Sequence, residues 1–225
     1  MSSFGLANNE DPNSLATRMR NQRFAAFLQY ASRCTKDHVC ILDVGGTVKF
    51  WNSAWSKECE RFEVIVLNLK QEQTSGRMPV TSIAGDARDL SEFDSGSFDF
   101  CFSNSVIEHV GTLADQTKMA AEVSRVGNGY FIQTPYRYFP IEPHFQFPLW
   151  AQLPLSLRTE FHRRFDLGWM PAIPDYLTAR LDVEQIRLLT LYEYRALFPD
   201  AEIHKEKFGP FIKSIMAVRP YREAN

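Results

Sequence analysis

Four cysteines in 225 residues, none paired at CxxC spacing, leave little material for a disulfide framework or a cysteine-bound zinc site. Cys40 and Cys101 fall in runs that read as buried strands, where a thiol packs as a small apolar side chain. No apolar run nears the roughly 20 residues that a membrane-spanning helix needs, and no signal-peptide stretch follows Met1, so a cytoplasmic location is expected. An excess of charge of one sign is missing too: 25 Lys and Arg against 27 Asp and Glu give a net −2, which favours neither nucleic acid nor an anionic membrane as a partner. Internal repeats and low-complexity tracts are absent. With 44% hydrophobic and 23% charged residues, the chain is expected to form a single domain over 1–225, its mostly polar first fourteen residues frayed.

What is present begins at Cys40-Ile-Leu-Asp-Val-Gly-Gly-Thr47, an apolar run that stops at an acid and two glycines. It reads as a buried strand entering a tight loop, where glycine lets backbone approach a ligand and an acid can hold a ligand amine or hydroxyl. The pattern repeats. Arg61–Leu67 ends on Asn68, where a ribose is hydrogen-bonded in such folds; Val80–Ala84 ends in Gly85-Asp86-Ala87; Phe98–Phe102 ends in Ser103-Asn104-Ser105; Tyr130–Gln133 runs into Thr134-Pro135. Near-continuous apolar strands with polar tips suit a parallel sheet covered on both faces.

The intervening segments are long enough for crossover helices. Helical spacing over 112–124 gathers Leu113, Met119, Ala120 and Val123 on one side, with Gln116 intruding, and a leading amphipathic helix over about 15–32 does the same for Met19, Phe24, Phe27, Leu28 and Ala31. Thr190 and Glu193 form a capping box, Pro199-Asp200 closes that helix, and two runs around 201–204 and 212–218 complete the sheet. Seven of the twelve prolines fall between Pro135 and Pro174, among many aromatic residues, which predicts a stiff lid or substrate loop without regular helix or strand. An aromatic plug sealing the end of the sheet is the plainer alternative.

Asp43-Val-Gly-Gly-Thr47, Asn68, Gly85-Asp86-Ala87, the run Phe98 to His109 containing Asn104-Ser-Val-Ile-Glu-His109, and Gln133 to His144 together resemble the class I S-adenosylmethionine-dependent methyltransferases, and among them the small-molecule type 11 group. The resemblance covers roughly residues 15–218. It implies an α/β, Rossmann-like, doubly wound seven-stranded sheet of order 3-2-1-4-5-7-6, strand 7 antiparallel, with helices on both faces and S-adenosylmethionine as cofactor. It also implies that Asp43, Gly45 and Gly46 lie beside the methionine part and Asn68 at the ribose, while Asp86 and the Ala87 amide read the adenine. Ser103 and Asn104 would face the cofactor amine and the methyl group. Asn68 stands where the family has an acid, and Thr47 where its Asp-x-Gly-x-Gly pattern has glycine.

The acceptor expected is a small molecule, through a hydroxyl that needs a base, with His109 and His144 as candidates. Tyr136, Arg137 and Glu142, in the proline-rich loop, are the expected acceptor contacts. For His38, His162 and His204 an exposed or packed role is expected, no metal is expected, and a homodimer is allowed. A nicotinamide dehydrogenase would need Gly-x-Gly-x-x-Gly, which the chain lacks, and a nucleic-acid amino-methylase its Asn/Asp-Pro-Pro-Tyr/Phe tetrad. A non-catalytic cofactor-binding or protein-interaction member of the same fold is the remaining alternative.

Overall fold

The computed structural model describes residues 14–74 and 78–222. The fraying expected for the first fourteen residues lies outside the described residues except at Ser14, which is buried and caps the first helix, its Oγ accepting from the Thr17 amide at 3.0 Å. That helix, α1 (Leu15–Ala31), buries Met19, Phe24, Phe27 and Ala31.

The strands are β1 (Val39–Val44), β2 (Phe62–Asn68), β3 (Val80–Ala84), β4 (Phe98–Asn104), β5 (Gly127–Pro135), β6 (Glu202–Phe208) and β7 (Phe211–Arg219). They form one seven-stranded mixed sheet of order β3-β2-β1-β4-β5-β7-β6 with β7 antiparallel and helices around it. The register of β1 with its neighbours, Asp43 beside Val66 and Phe102, and that of β2 with β3, Asn68 beside Ala84, bring the tips of four parallel strands to one edge. The remaining helices are α2 (Val48–Ala54), α3 (Leu113–Val126), α4 (Leu155–Arg164), α5 (Tyr176–Glu184) and α6 (Leu191–Leu197). None among the described residues is long and apolar enough to cross a membrane.

Backbone contacts divide the described residues into two units, 14–74 and 78–104 with 121–132 and 218–222, and 105–120 with 133–217. The first has an aromatic core in which Phe27 meets Phe102 and Phe100 at ring separations of 4.8 and 5.9 Å, and Phe24 meets Trp51 edge-on at 5.3 Å. Edge-to-face pairs of this kind add to simple burial because ring edges and faces carry opposite partial charge. The second has its own core, with Phe145 stacked on Trp150 at 4.4 Å beside Leu167, Val183, Ile186 and Leu188.

Several local expectations are corrected. The proline-rich stretch is not free of regular structure: it contains α4, whose first turn follows Pro154, and a short 3-10 turn at Trp150–Gln152. A proline just ahead of a helix is compatible with it, since the first turn's amides lack intrahelical acceptors in any case. β5 begins at Gly127, before the apolar run, and at Gly129 it passes so close to Phe100 that a side chain there would meet its ring at 2.7 Å. In α3, Met119, Ala120 and Val123 are buried as expected, but Leu113 is exposed and Gln116 is buried with them, its Nε2 donating to the Ile107 and Arg187 carbonyls at 2.9 and 2.8 Å while its Oε1 accepts from Arg187 Nη1 at 2.7 Å. Fully paired, that amide is a tolerable core residue. The Thr190–Glu193 capping box forms as expected.

Candidate functional site

The tip of β1 is built around one carboxylate. Asp43 is 1% exposed, its Oδ2 accepts from the Trp51 indole nitrogen at 2.7 Å, and its Oδ1 is buried without a hydrogen-bond partner. Burial pushes its pKa up to about 7, against the opposing Trp51 hydrogen bond and with added repulsion from Glu72. Gly45 turns the chain at φ +75°, which suits glycine. Gly46 then passes so close over the acid that a Cβ there would sit 1.7 Å from Asp43 Oδ2. Thr47 is extended and its Oγ1 accepts from the Phe50 amide at 3.1 Å, so the residue replacing the family's glycine starts α2 as its cap.

The neighbouring tips are engaged within the protein. Asn68 donates to the Gly46 carbonyl at 3.3 Å and accepts from the Leu69 amide, bracing the glycine loop, and its side chain retains one further donor and one acceptor position. Asp86 is gripped by Arg88, whose Nη2 lies 2.6 Å from Oδ2 and whose amide and Nε also donate to it; Ala87 beside it is buried. Ser103 is buried, donating to the Val44 carbonyl at 2.9 Å, and Asn104 Oδ1 accepts from Arg23 Nε at 2.9 Å. Trp51, Arg23, Glu72 and Arg88 were not singled out from sequence. Arg23 and Glu72 owe their roles to pairings far along the chain, Arg23 with Asn104 and Glu72 Oε2 accepting from the Val48 amide at the start of α2.

In the second unit, Ser105 leaves the tip of β4 at φ +58°, an unusual conformation for a serine, held by its amide and hydroxyl donating to the Gln133 carbonyl and Oε1 at 3.0 Å each. Strain of this size is kept where the surroundings over-determine it, often at functional sites. The turn that follows presents Glu108 and His109. His109 Nε2 lies 3.1 Å from His144 Nε2, and the rings meet edge to face. His144 Nδ1 is 2.6 Å from Glu142 Oε1, while Glu142 Oε2 accepts from the amides of His144 and Phe145 at 2.8 and 2.6 Å.

These contacts separate the two histidines. Burial pulls His144 down, but the Glu142 hydrogen bond and charge, aided by Glu108, outweigh it and its pKa is raised. His109 is lowered, first by desolvation and then by His144. Glu108 is fully buried and pushed up to about 7 by desolvation; Thr134 Oγ1 donates to its Oε2 at 2.9 Å, and Oε1 has no partner. Sequence reasoning took the histidine of the Glu108-His109 pair and passed over the acid.

A cavity of about 650 Å³ in the second unit is lined by Arg137, Glu142, Phe145, Trp150, Arg158 and Arg187, among others. Of the expected acceptor contacts, Arg137 and Glu142 thus face one space, while the Tyr136 ring packs on that of Tyr138 at 5.6 Å. Arg158 Nε is buried without a partner, and its pKa is lowered by burial and then by repulsion from Arg137. His162, by contrast, is a packed core residue, paired with Asp182 at 2.7 Å.

Residues 42–132 match the family described as Methyltransferase domain, which bears out the resemblance read from the strand tips. An uncharacterized protein of Mycobacterium tuberculosis is 36% identical over 66 residues, 29% of this chain, and the match spans 22% of that relative's length. The solved structure of a Pyrococcus horikoshii protein is similar over 98% of this chain and 97% of its own, with a TM-score of 0.55 and 19% identity. Phosphoethanolamine N-methyltransferase 2 of Haemonchus contortus, solved with S-adenosyl-L-methionine, is similar over 82% of this chain and 38% of its own, with a TM-score of 0.50 and 18% identity. At these identities the two structures support the fold alone.

Proposed function

We propose that this chain, whose residues 42–132 match the family described as Methyltransferase domain, is an S-adenosylmethionine-dependent methyltransferase acting on a hydroxyl of a small-molecule acceptor. The observation that carries the cofactor half is the unpartnered, buried Oδ1 of Asp43 under a glycine loop too tight for any side chain at Gly46. An ammonium group reaching that oxygen would satisfy an acceptor that now has no donor, in a charge-assisted bond stronger than a neutral one. Asn68 is offered for the ribose, and Asp86 with the Ala87 amide for the adenine, which requires Arg88 to release the carboxylate it grips. Ser103 and Asn104 complete that edge. When bound, S-adenosylmethionine supplies a sulfonium-activated methyl group, and most of the catalytic benefit comes from alignment with the nucleophile.

On the acceptor side, Tyr136, Arg137 and Glu142 are proposed as binding residues, with His109 and His144 handling the hydroxyl proton. The cavity that Arg137 shares with Arg158 suits an acceptor carrying an anionic group, because an anion would relieve the repulsion between two guanidinium groups. The chain is taken as one cytoplasmic domain.

Calorimetry with S-adenosylmethionine tests the cofactor half. Asp43→Ala and Asp86→Ala should each bind roughly tenfold to hundredfold more weakly, the equivalent of about 1.5–3 kcal/mol for a charge-assisted hydrogen bond. Because burial keeps the Asp43 proton on up to a pH of about 7, an ammonium ligand must displace that proton below this value. Wild-type affinity should therefore climb as pH is raised from acid towards 7 and then level off, while Asp43→Ala loses that climb. Wild-type affinity in both variants would remove the assignment.

A further inference from the structure

We propose that Glu108, His109 and His144 form a binding site for one divalent first-row transition ion such as Zn²⁺, Co²⁺, Mn²⁺ or Fe²⁺. One ligating atom from each residue lies within 4.8 Å of the others. The two imidazole Nε2 atoms face each other at 3.1 Å. Two nitrogens bound to one ion at about 2.0–2.1 Å, near the tetrahedral angle, stand about 3.3 Å apart, so only a small adjustment separates this pair from a chelating one.

The surroundings of the trio are those of a ligand set. Glu142 Oε1, 2.6 Å from His144 Nδ1, fixes the N–H on that nitrogen and leaves the Nε2 lone pair turned towards His109. Metal-bound histidines characteristically donate their second ring nitrogen to a carboxylate in this way. Glu142 is itself held by two backbone amides, so the orientation is built in. Glu108 supplies the independent observation: it is fully buried, only Oε2 has a donor, and Oε1 is an orphan acceptor. An unpaired carboxylate oxygen in the interior is costly, and a cation is the partner that offsets the cost most completely.

Two imidazoles and a carboxylate favour borderline transition ions over Mg²⁺ or Ca²⁺, which take mainly oxygen ligands. Three protein ligands leave at least one coordination position open. This inference rests on the hydroxyl-acceptor reading in one respect: at that position an ion would orient the acceptor oxygen and lower its pKa, the task otherwise left to a histidine base.

The test reads the metal without the cofactor. The full chain, stripped with a chelator, should bind one equivalent of Co²⁺ with visible ligand-field bands, and Zn²⁺ should displace it. The bands should vanish in His109→Ala, His144→Ala and Glu108→Gln, and Glu142→Gln should weaken binding by about 10–100-fold. In case a variant does not fold, ¹⁵N-labelled wild-type protein provides a second reading, since bound Co²⁺ should shift the resonances of two imidazoles strongly. No Co²⁺ uptake, or uptake unchanged in the three ligand variants, would overturn the site and leave a hydrogen-bonded trio. Failure of S-adenosylmethionine to bind in the separate calorimetry would strike the methyltransferase reading and leave the Co²⁺ result intact.

Discussion

His144→Ala should lower turnover by about 10²-fold or more at saturating cofactor, and His109→Ala should do the same, once an acceptor is in hand. His144 is aimed from behind by Glu142 at 2.6 Å, and its other nitrogen meets His109 at 3.1 Å. With the N–H held on Nδ1, His144 Nε2 is the acceptor of that contact, so His109 Nε2 donates to it or both lone pairs share a bound ion. In the first arrangement a neutral His109 keeps its lone pair on Nδ1 to accept a proton, and in the second both Nε2 lone pairs go to the ion. Removing one ring breaks both, whereas cofactor affinity, set by the β1–β4 tips, should hold. Steady-state kinetics with calorimetry on the same preparations decides it. Full turnover in both variants would return the histidines to structural roles and leave alignment to carry the reaction.

Gly46→Ala should abolish measurable cofactor binding and cost several degrees of melting temperature. The added methyl would lie 1.7 Å from Asp43 Oδ2 and 2.2 Å from its Cγ, well inside contact distance. Asp43 has nowhere to retreat, because it is buried, bonded to Trp51, and paired on both sides within the sheet. Overpacking of a tight site costs about 1–3 kcal/mol, and a chain of this size loses roughly 2–4 °C per kcal/mol. The double variant Gly46→Ala/Asp43→Ala removes the atoms that the methyl strikes, so its penalty should fall short of the sum of the two single ones. Thermal melts of the four proteins test this, and a Gly46→Ala melting curve superposable on wild type would refute the packing argument.

Much of the first unit was legible because β1 and β4 are buried on both faces and β2 and β3 still carry short β-branched, apolar runs. Cys40–Val44, Arg61–Leu67, Val80–Ala84 and Phe98–Phe102 carry a signal that needs no long-range information, and Asp43, Asn68, Asp86 and Asn104 are marked as the polar residues that end those runs. α2 and α5 were missed for different reasons. α2 is only seven residues long, and α5 exposes Leu177 and Leu181 while burying Ala179 and Val183, so its apolar residues fall on both faces and blur the helical period. α4 was hidden by the prolines around it.

By itself, the sequence determined the strand grammar and the residue types available at each tip, since these follow from local periodicity and from where polar residues interrupt apolar runs; the sheet order came only through the family resemblance. Tertiary structure alone decided what those residues touch. It gave Asp43 one partner and one orphan oxygen, turned Thr47 from a misplaced glycine into a helix cap, and occupied Asp86 with Arg88. It also set the sign of the His144 shift, because burial and a nearby carboxylate act in opposite directions and only their distances decide between them. The meeting of Glu108 and His109 with His144, 35 residues after His109, is likewise a product of the fold: nothing in the chain between them records that the three would share one small volume.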